Sequence, residues 1–131
     1  MPGLTFSADQ PVLVLVEVLA IMDAETMRDY VAAIAPQMAG YGARNLTAGL
    51  HTYKGETDAI NMVASYWPTA QAYLDWQASA GYAPWAEKRL HAARIRTHFL
   101  PVIPGALVIK RTPIVRFAPN VTICVAFIGV E

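Results

Sequence analysis

The sequence predicts an α+β domain, in which strands and helices alternate along one chain of 131 residues. Two observations carry this prediction. Residues 11–21 form a nearly unbroken apolar, β-branched run, which is typical of a strand buried in the middle of a sheet. Further along, segments with apolar residues at helical spacing are separated from strand-like segments by Gly and Pro.

Composition narrows the possible functions. Ten basic and ten acidic residues give a formal net charge of zero, which argues against nucleic acid or an anionic membrane as a partner. Apolar types make up 55% of the chain, so part of this surface is expected to be buried between subunits. A single cysteine, Cys124, forms neither an intrachain disulfide nor a metal site. Without a signal segment or a spanning apolar run, we expect a soluble, cytoplasmic protein.

The first strand is predicted over residues 12–20, at the centre of the sheet. Read with period two, one face carries only valine, at Val12, Val14, Val16 and Val18. The other face carries Glu17 among Leu13, Leu15 and Leu19. A carboxylate at such a position must find a partner, stay protonated or face a wet cavity, because its uncompensated burial is costly.

A helix is predicted after this strand. Asp23 is suited to cap its beginning, and Gly40 and Gly42 to end it. Pro36 is expected to bend it or to loosen its middle. Its apolar stripe consists of Met27, Tyr30, Val31, Ile34 and Met38.

Three further strands are predicted. Residues 43–53 indicate the second, with a bulge at Gly49. Residues 59–67 indicate the third, which Pro68 ends, and residues 97–103 the fourth.

A helical region lies between the third and fourth strands. Thr69 is expected to cap a helix containing Tyr73 and Trp76, and Gly81 to break the pattern. A third helical stripe follows, with Tyr82, Ala86, Leu90 and Ala93. The resulting order β-α-β-β-α-β predicts a ferredoxin-like arrangement, an antiparallel sheet with helices on one face and with the first and third strands at its centre.

Several short sequence features occur in register with those of a known family. They are Val16-Glu17-Val18, Tyr41-Gly42, Gly49, Lys54-Gly55, Trp67-Pro68-Thr69, Trp76, Ser79, Tyr82 and Arg89. Over roughly residues 11–105 the chain resembles the domain of unknown function 1330 (DUF1330) family of the dimeric α/β-barrel group. The resemblance implies a homodimer whose two sheets face each other. Relatives in the wider group include cofactor-free monooxygenases, isomerases and polyketide cyclases. At Lys54 the chain departs from the acidic residue that is usual in the family.

The chain is therefore expected to divide into an arm (residues 1–10), a ferredoxin-like domain (residues 11–105) and an apolar C-terminal extension (residues 106–131). The extension contains three strand-like segments, with Pro119-Asn120 as a turn between the last two. Because bare apolar strands aggregate, we expect it to be ordered, either as a hairpin or as strands that cross to a partner subunit.

Candidate site residues follow from the faces of the central strands. If the all-valine face packs on the helices, Glu17 points into the space between the two sheets of the dimer. Alternation in the third strand then places Asn61, Ser65 and Trp67 on the same face as Glu17. Glu17 is a candidate general acid or base, with a pKa raised by its apolar surroundings. The alternative is a structural Glu17, neutralised by an arginine such as Arg44 or hydrogen-bonded by Asn61.

The sequence offers further candidate site residues, which the strand faces place less firmly. His51 and His98 are candidate proton carriers if either approaches Glu17, although a surface role is an alternative for both. Tyr82, Trp85 and Arg89 are candidate substrate-binding residues, and an intrachain salt bridge is the alternative for Arg89. No metal site is predicted. A basic patch of Lys88, Arg89, Arg94 and Arg96 is expected near the last helix, without a nucleic-acid role.

These observations lead to a functional expectation. The sequence favours a cofactor-independent enzyme acting by acid/base chemistry on a hydrophobic, oxygenated, aromatic or polyketide-like molecule, such as a cyclase, isomerase or monooxygenase of secondary metabolism. The alternative is a non-catalytic small-molecule-binding protein, or an assembly protein whose own tail fills the cavity. In each case the expected partner is a second copy of the chain.

Overall fold

The computed structural model describes residues 4–106, 115–118 and 121–123. The chain divides into two compact units, Met1–Pro101 and Val102–Glu131. The elements of the first unit are β1 (Val12–Ile21), α1 (Ala24–Gly40), β2 (Arg44–Asn45), β3 (Asn61–Trp67), α2 (Ala70–Gln77), α3 (Ala83–Ala92) and β4 (Ala93–Pro101). None of the helices among the described residues is both long and apolar enough to cross a membrane.

The first unit has the predicted ferredoxin-like topology. Its sheet has the strand order β2-β3-β1-β4, and every pair is antiparallel. β1 and β3 therefore occupy the centre of the sheet, as expected from the apolar segment that begins at Val12. The expected α+β, ferredoxin-like fold is confirmed.

The helices cover the valine face of β1. Val12 and Val14 are almost completely buried and belong to one core cluster with Tyr30 and Met38 of α1 and Trp76 of α2. Since successive side chains of a strand point to opposite faces, Glu17 lies on the face away from this core.

Two of the predicted helix caps are present. The Asp23 carboxylate accepts a hydrogen bond from the backbone N–H of Thr26 at 3.0 Å. The Thr69 hydroxyl accepts one from the backbone N–H of Ala72 at 3.0 Å. α1 continues through Pro36, and Val31 of its predicted apolar stripe is 53% exposed.

The second strand is much shorter than predicted. Only Arg44–Asn45 pairs with β3 as a strand, instead of residues 43–53. One more backbone hydrogen bond follows, from Leu46 N to Ala64 O at 2.9 Å. Beyond it, side chains take the place of the ladder: Thr47 Oγ1 accepts from Ala64 N at 2.9 Å, and Asn61 Oδ1 accepts from Leu50 N at 3.2 Å. Local side-chain hydrogen bonds of this kind compete with regular pairing at a sheet edge.

Two other boundaries differ from the prediction. β4 covers Ala93–Pro101 rather than residues 97–103, because it begins where α3 ends. Ala93 is therefore a strand residue, and Leu90 is 58% exposed instead of forming part of a buried stripe.

Within the second unit, β5 (Val115–Ala118) and β6 (Val121–Ile123) pair antiparallel. The predicted strand at residues 107–109, the Pro119-Asn120 turn and Cys124 lie outside the described residues. The expected boundaries of the arm, the domain and the extension stay a prediction.

Candidate functional site

The candidate site lies on the sheet face opposite the helices. Pairing places Glu17 of β1 beside Met62 of β3 on one side and Arg96 of β4 on the other. His98 follows two residues after Arg96 and so shares this face. The remaining residues of the face are mostly apolar: Leu13, Leu15, Ala64, Tyr66 and Leu100.

Glu17 binds both polar neighbours at once. His98 Nε2 lies 2.6 Å from Glu17 Oε1. Arg96 donates from Nε to Oε1 at 2.7 Å and from Nη2 to Oε2 at 3.0 Å, which is a bidentate pair. The Glu17 side chain is only 12% exposed, whereas Arg96 is 45% and His98 42% exposed.

These contacts reverse the predicted titration of Glu17. Hydrogen bonds from Arg96 first, and His98 second, lower its pKa from 4.5 to about 2 and outweigh the opposing effect of burial. In return, the hydrogen bond to Glu17 raises the pKa of Arg96 further. The prediction of a raised pKa was wrong, because an arginine from a strand 79 residues away faces the carboxylate.

The ionised state of Glu17 determines which imidazole nitrogen is free. A carboxylate accepts only, so Nε2 of His98 carries the hydrogen that it donates to Oε1. In the neutral ring, Nδ1 is then the nitrogen that can accept a proton. Of the two candidate histidines, His98 therefore approaches Glu17, whereas His51 is exposed in the segment between β2 and β3.

A second carboxylate, that of Asp58, binds Arg96 on its solvent-exposed side. Asp58 Oδ1 accepts from Arg96 Nη2 at 3.0 Å, and Asp58 Oδ2 accepts from Nη1 at 3.5 Å. An open cavity of about 810 Å³ lies beside this pair. Its lining consists of Glu17, Thr52, Gly55, Glu56, Thr57, Asp58 and Arg96.

The three predicted residues of β3 lie on the wrong face for this site. Val14 pairs with Ser65 and Val12 with Trp67, so these residues face the helices. Trp67 is fully buried, and its indole N–H donates to Ser65 Oγ at 3.0 Å. Asn61 pairs with Val18 and shares that face. The predicted assignment of β3 side chains to the two faces of the sheet was wrong. Both faces of β3 carry apolar residues, and the largest apolar side chain, the indole of Trp67, occupies the core.

The three predicted residues near α3 also lie on the helix side. Tyr82 is buried, and its hydroxyl is 2.8 Å from that of Tyr30. Trp85 packs against the core and carries Lys88 Nζ 4.3 Å above its ring. None of the three is brought together with Glu17.

In the part of the chain that the structure describes, Arg89 does not form the intrachain salt bridge that was the alternative for it, and its substrate-binding role stays a prediction. Its Nε is buried without a hydrogen-bond partner, and no ion pair joins it to a carboxylate within the described residues. Burial raises the pKa of Tyr30 and that of Tyr73, in Tyr73 to about 12. The positive charge of Arg89 acts against both increases.

Sequence reasoning missed the roles of Arg96 and Asp58. Arg96 was assigned to a basic patch near a helix, but it belongs to a strand in which Arg94, Arg96 and His98 alternate with apolar residues or Thr. That alternation was the available signal. Arg44, the arginine suggested for Glu17, instead lies 5.5 Å from the ring centre of Tyr66. No three His, Cys, Asp or Glu side chains of the described ranges converge as metal ligands would.

Two solved structures with TM-scores of 0.59 and 0.50 support the fold. No curated protein matches the sequence significantly. A protein of unknown function from Rhodopseudomonas palustris has a similar structure, with a TM-score of 0.59 and 16% identity over 72% of this chain and 84% of that one. A putative antibiotic biosynthesis monooxygenase from Nitrosomonas europaea gives 0.50 and 11% over 75% and 94%. A mutant of SnoaB, a cofactor-independent oxygenase from Streptomyces nogalater, gives 0.49 and 17% over 71% and 92%.

The sequence itself identifies the family. The family model of DUF1330, a domain of unknown function, matches residues 11–103. This range includes all four strands and all three helices of the first unit. The resemblance noted from short sequence features is thereby confirmed. The chain belongs to the DUF1330 family.

Proposed function

We propose that the protein is a cofactor-independent enzyme that uses His98 as its proton carrier and Glu17 as the residue that positions it. The substrate class is a small, hydrophobic, oxygenated molecule, aromatic or polyketide-like. Arg96 fixes Glu17 and offers positive charge next to the imidazole.

The observation that carries the proposal is the hydrogen bond of 2.6 Å between Glu17 and His98 on the apolar sheet face. A nearly buried carboxylate holds one imidazole nitrogen, while the ring remains 42% exposed and accessible to a ligand. An imidazole oriented by a carboxylate is suited to general acid/base catalysis, because its tautomer is defined before substrate binds.

The chemistry follows from this arrangement. Nδ1 of His98 removes a proton from a carbon next to a carbonyl group, and Glu17 stabilises the imidazolium that forms. The resulting enolate is reprotonated at another carbon in an isomerase, or attacks a second carbonyl in a cyclase. In a monooxygenase it reacts with O₂ to give a peroxide, which loses water and leaves a new carbonyl group. Leu13, Leu15 and Leu100 supply apolar surface on the same face.

A homodimer is part of the proposal. The apolar residues on the Glu17 face include Leu100, which is 45% exposed in one copy of the chain. A second sheet packed against this face buries that surface and encloses His98. Light scattering after size-exclusion chromatography measures the assembly, and a monomer at micromolar concentration contradicts this part of the proposal.

The catalytic role is tested with a panel of enolisable aromatic and polyketide-like ketones, with and without O₂, analysed by mass spectrometry. A compound turned over by the wild type should not be turned over by His98→Gln. The matched control is His91→Gln, because His91 lies on α3 and pairs with Glu87 at 3.2 Å, away from the sheet face. Circular dichroism verifies that both variants fold. Unchanged turnover by His98→Gln contradicts the proposal.

A non-catalytic binding protein is the second candidate, and the bidentate Arg96–Glu17 pair favours it, because such a pair also serves as a structural link. A binding protein holds a panel compound without converting it. Its affinity should then be the same in the wild type and in His98→Gln.

A further inference from the structure

The guanidinium of Arg96 has two carboxylate partners in very different environments. One edge, formed by Nε and Nη2, holds Glu17, whose side chain is 12% exposed. The other edge, formed by Nη1 and Nη2, faces Asp58, whose side chain is 69% exposed. The inner contact is therefore part of the sheet, whereas the outer one lies at the surface.

The outer partner is held weakly by comparison. Its two distances to Arg96 are 3.0 and 3.5 Å, against 2.7 and 3.0 Å for Glu17. Water competes for an exposed ion pair, so such pairs contribute little to stability. Another carboxylate of the same planar shape can replace Asp58 at the outer edge without disturbing Glu17.

We infer that Arg96 is the receptor for the carboxylate of a small organic acid, and that Asp58 holds the position which this carboxylate takes. The inference goes beyond the proposed function and does not depend on it, because it assigns an anion site next to the sheet face that holds His98. Arg96 then has two tasks, since it orients Glu17 on one edge and binds the acid on the other.

The open cavity beside the outer edge limits the size of this acid. Its volume is about 810 Å³, and its lining includes Arg96, Asp58 and Glu17 but not His98. A carboxylate paired with Nη1 and Nη2 directs the rest of its molecule away from the guanidinium, whereas Glu17 and His98 lie on the Nε side. The site therefore takes an aromatic or short acyl acid beside the sheet face that holds His98, and not in contact with the imidazole.

Negative charge in the cavity lining acts against an anion. Glu56 lines the same cavity as Asp58 and lies two residues before it. A general reduction of negative charge would help any anion to a similar extent at either position. Only Asp58 competes for the guanidinium itself, so the two positions provide a matched comparison.

Benzoate is a suitable probe, and benzamide is its neutral counterpart. Binding of each to the full chain is measured by calorimetry in wild type, Asp58→Asn and Glu56→Gln. If the Asp58–Arg96 pair has the usual strength of a surface ion pair, its removal tightens benzoate binding by about two- to sixfold. Glu56→Gln should change benzoate binding by less than about 1.5-fold, and benzamide should bind more weakly than benzoate in all three proteins.

Several results would overturn the inference. They are equal effects of the two substitutions on benzoate, equal binding of benzoate and benzamide, and no measurable binding of benzoate to Asp58→Asn. The test does not depend on turnover. If benzoate binds as expected while His98→Gln keeps its activity, the anion site stands and the proposed catalytic role fails.

Discussion

The replacement of Trp67 by Phe tests the assignment of β3 faces, which separates Asn61, Ser65 and Trp67 from the site around Glu17. Trp67 is fully buried, its ring contacts those of Tyr41, Tyr73 and Trp76, and its N–H donates to Ser65 Oγ at 3.0 Å. If it instead lined an open cavity beside Glu17, its loss would have little effect on folding.

The expected cost has two parts. The smaller ring leaves a space of about 40 Å³, which costs about 1 kcal/mol at roughly 24 cal/mol per Å³. Loss of the buried hydrogen bond leaves the Ser65 hydroxyl without its donor and costs about 1–2 kcal/mol. The free energy of unfolding should therefore fall by about 2–3 kcal/mol, which lowers the urea midpoint by about 1–2 M.

The assay is urea unfolding followed by far-ultraviolet circular dichroism, at one fixed protein concentration because an oligomer's stability depends on it. Trp85→Phe is the matched control, since Trp85 is only partly buried and should lose less than about 1 kcal/mol. Ser65→Ala should destabilise as well, and the double variant Trp67→Phe/Ser65→Ala should cost less than the sum. Equal midpoints for Trp67→Phe and Trp85→Phe would refute the face assignment.

Two further predictions concern buried and paired groups. The lowered pKa of Glu17, from 4.5 to about 2, means that its contribution is fully present above pH 4.5 and is lost as the pH falls toward 2. In urea midpoints from pH 2 to 7, wild type should therefore lose stability over this range relative to Glu17→Gln. Separately, Tyr30→Phe should cost about 1–2 kcal/mol, because it leaves the buried hydroxyl of Tyr82 without its partner at 2.8 Å; urea unfolding measures this cost.

The Glu17 prediction and the tyrosine prediction each have a control. Glu56→Gln removes a carboxylate from the same cavity lining without touching Arg96's bond to Glu17, and so separates the specific effect from a change in net charge. A constant difference between wild type and Glu17→Gln down to pH 2 would contradict the first prediction. For the tyrosine pair, a double Phe variant that costs as much as the two single variants together would show that the hydroxyls do not interact.

The order of elements could be predicted because its signals are local. The valine face of β1 was recognised from a period of two, and its burial at Val12 and Val14 follows. The caps at Asp23 and Thr69 depend only on residues within one helical turn. The ferredoxin-like order then follows from the sequence of strands and helices.

The site could be predicted only in part. Glu17 and His98 were both identified from residue type and position, but whether they meet depends on the direction in which β4 presents its side chains. The sequence also left open which arginine faces Glu17. Pairing of β1 with β4 answers this, because it aligns Glu17 with Arg96 and Leu15 with His98.

The sequence by itself determined which segments form the sheet and which face of β1 is purely apolar. Tertiary structure decided which side chains of β3 face the helices, and it decided the charge state of Glu17. Asn61, Ser65 and Trp67 were misplaced because both faces of β3 carry apolar residues, so alternation alone does not show which face packs on the helices. A shift of one residue moves every side chain of a strand to the other face. The pKa of a carboxylate depends on what that register places across from it, and no local pattern contains this information.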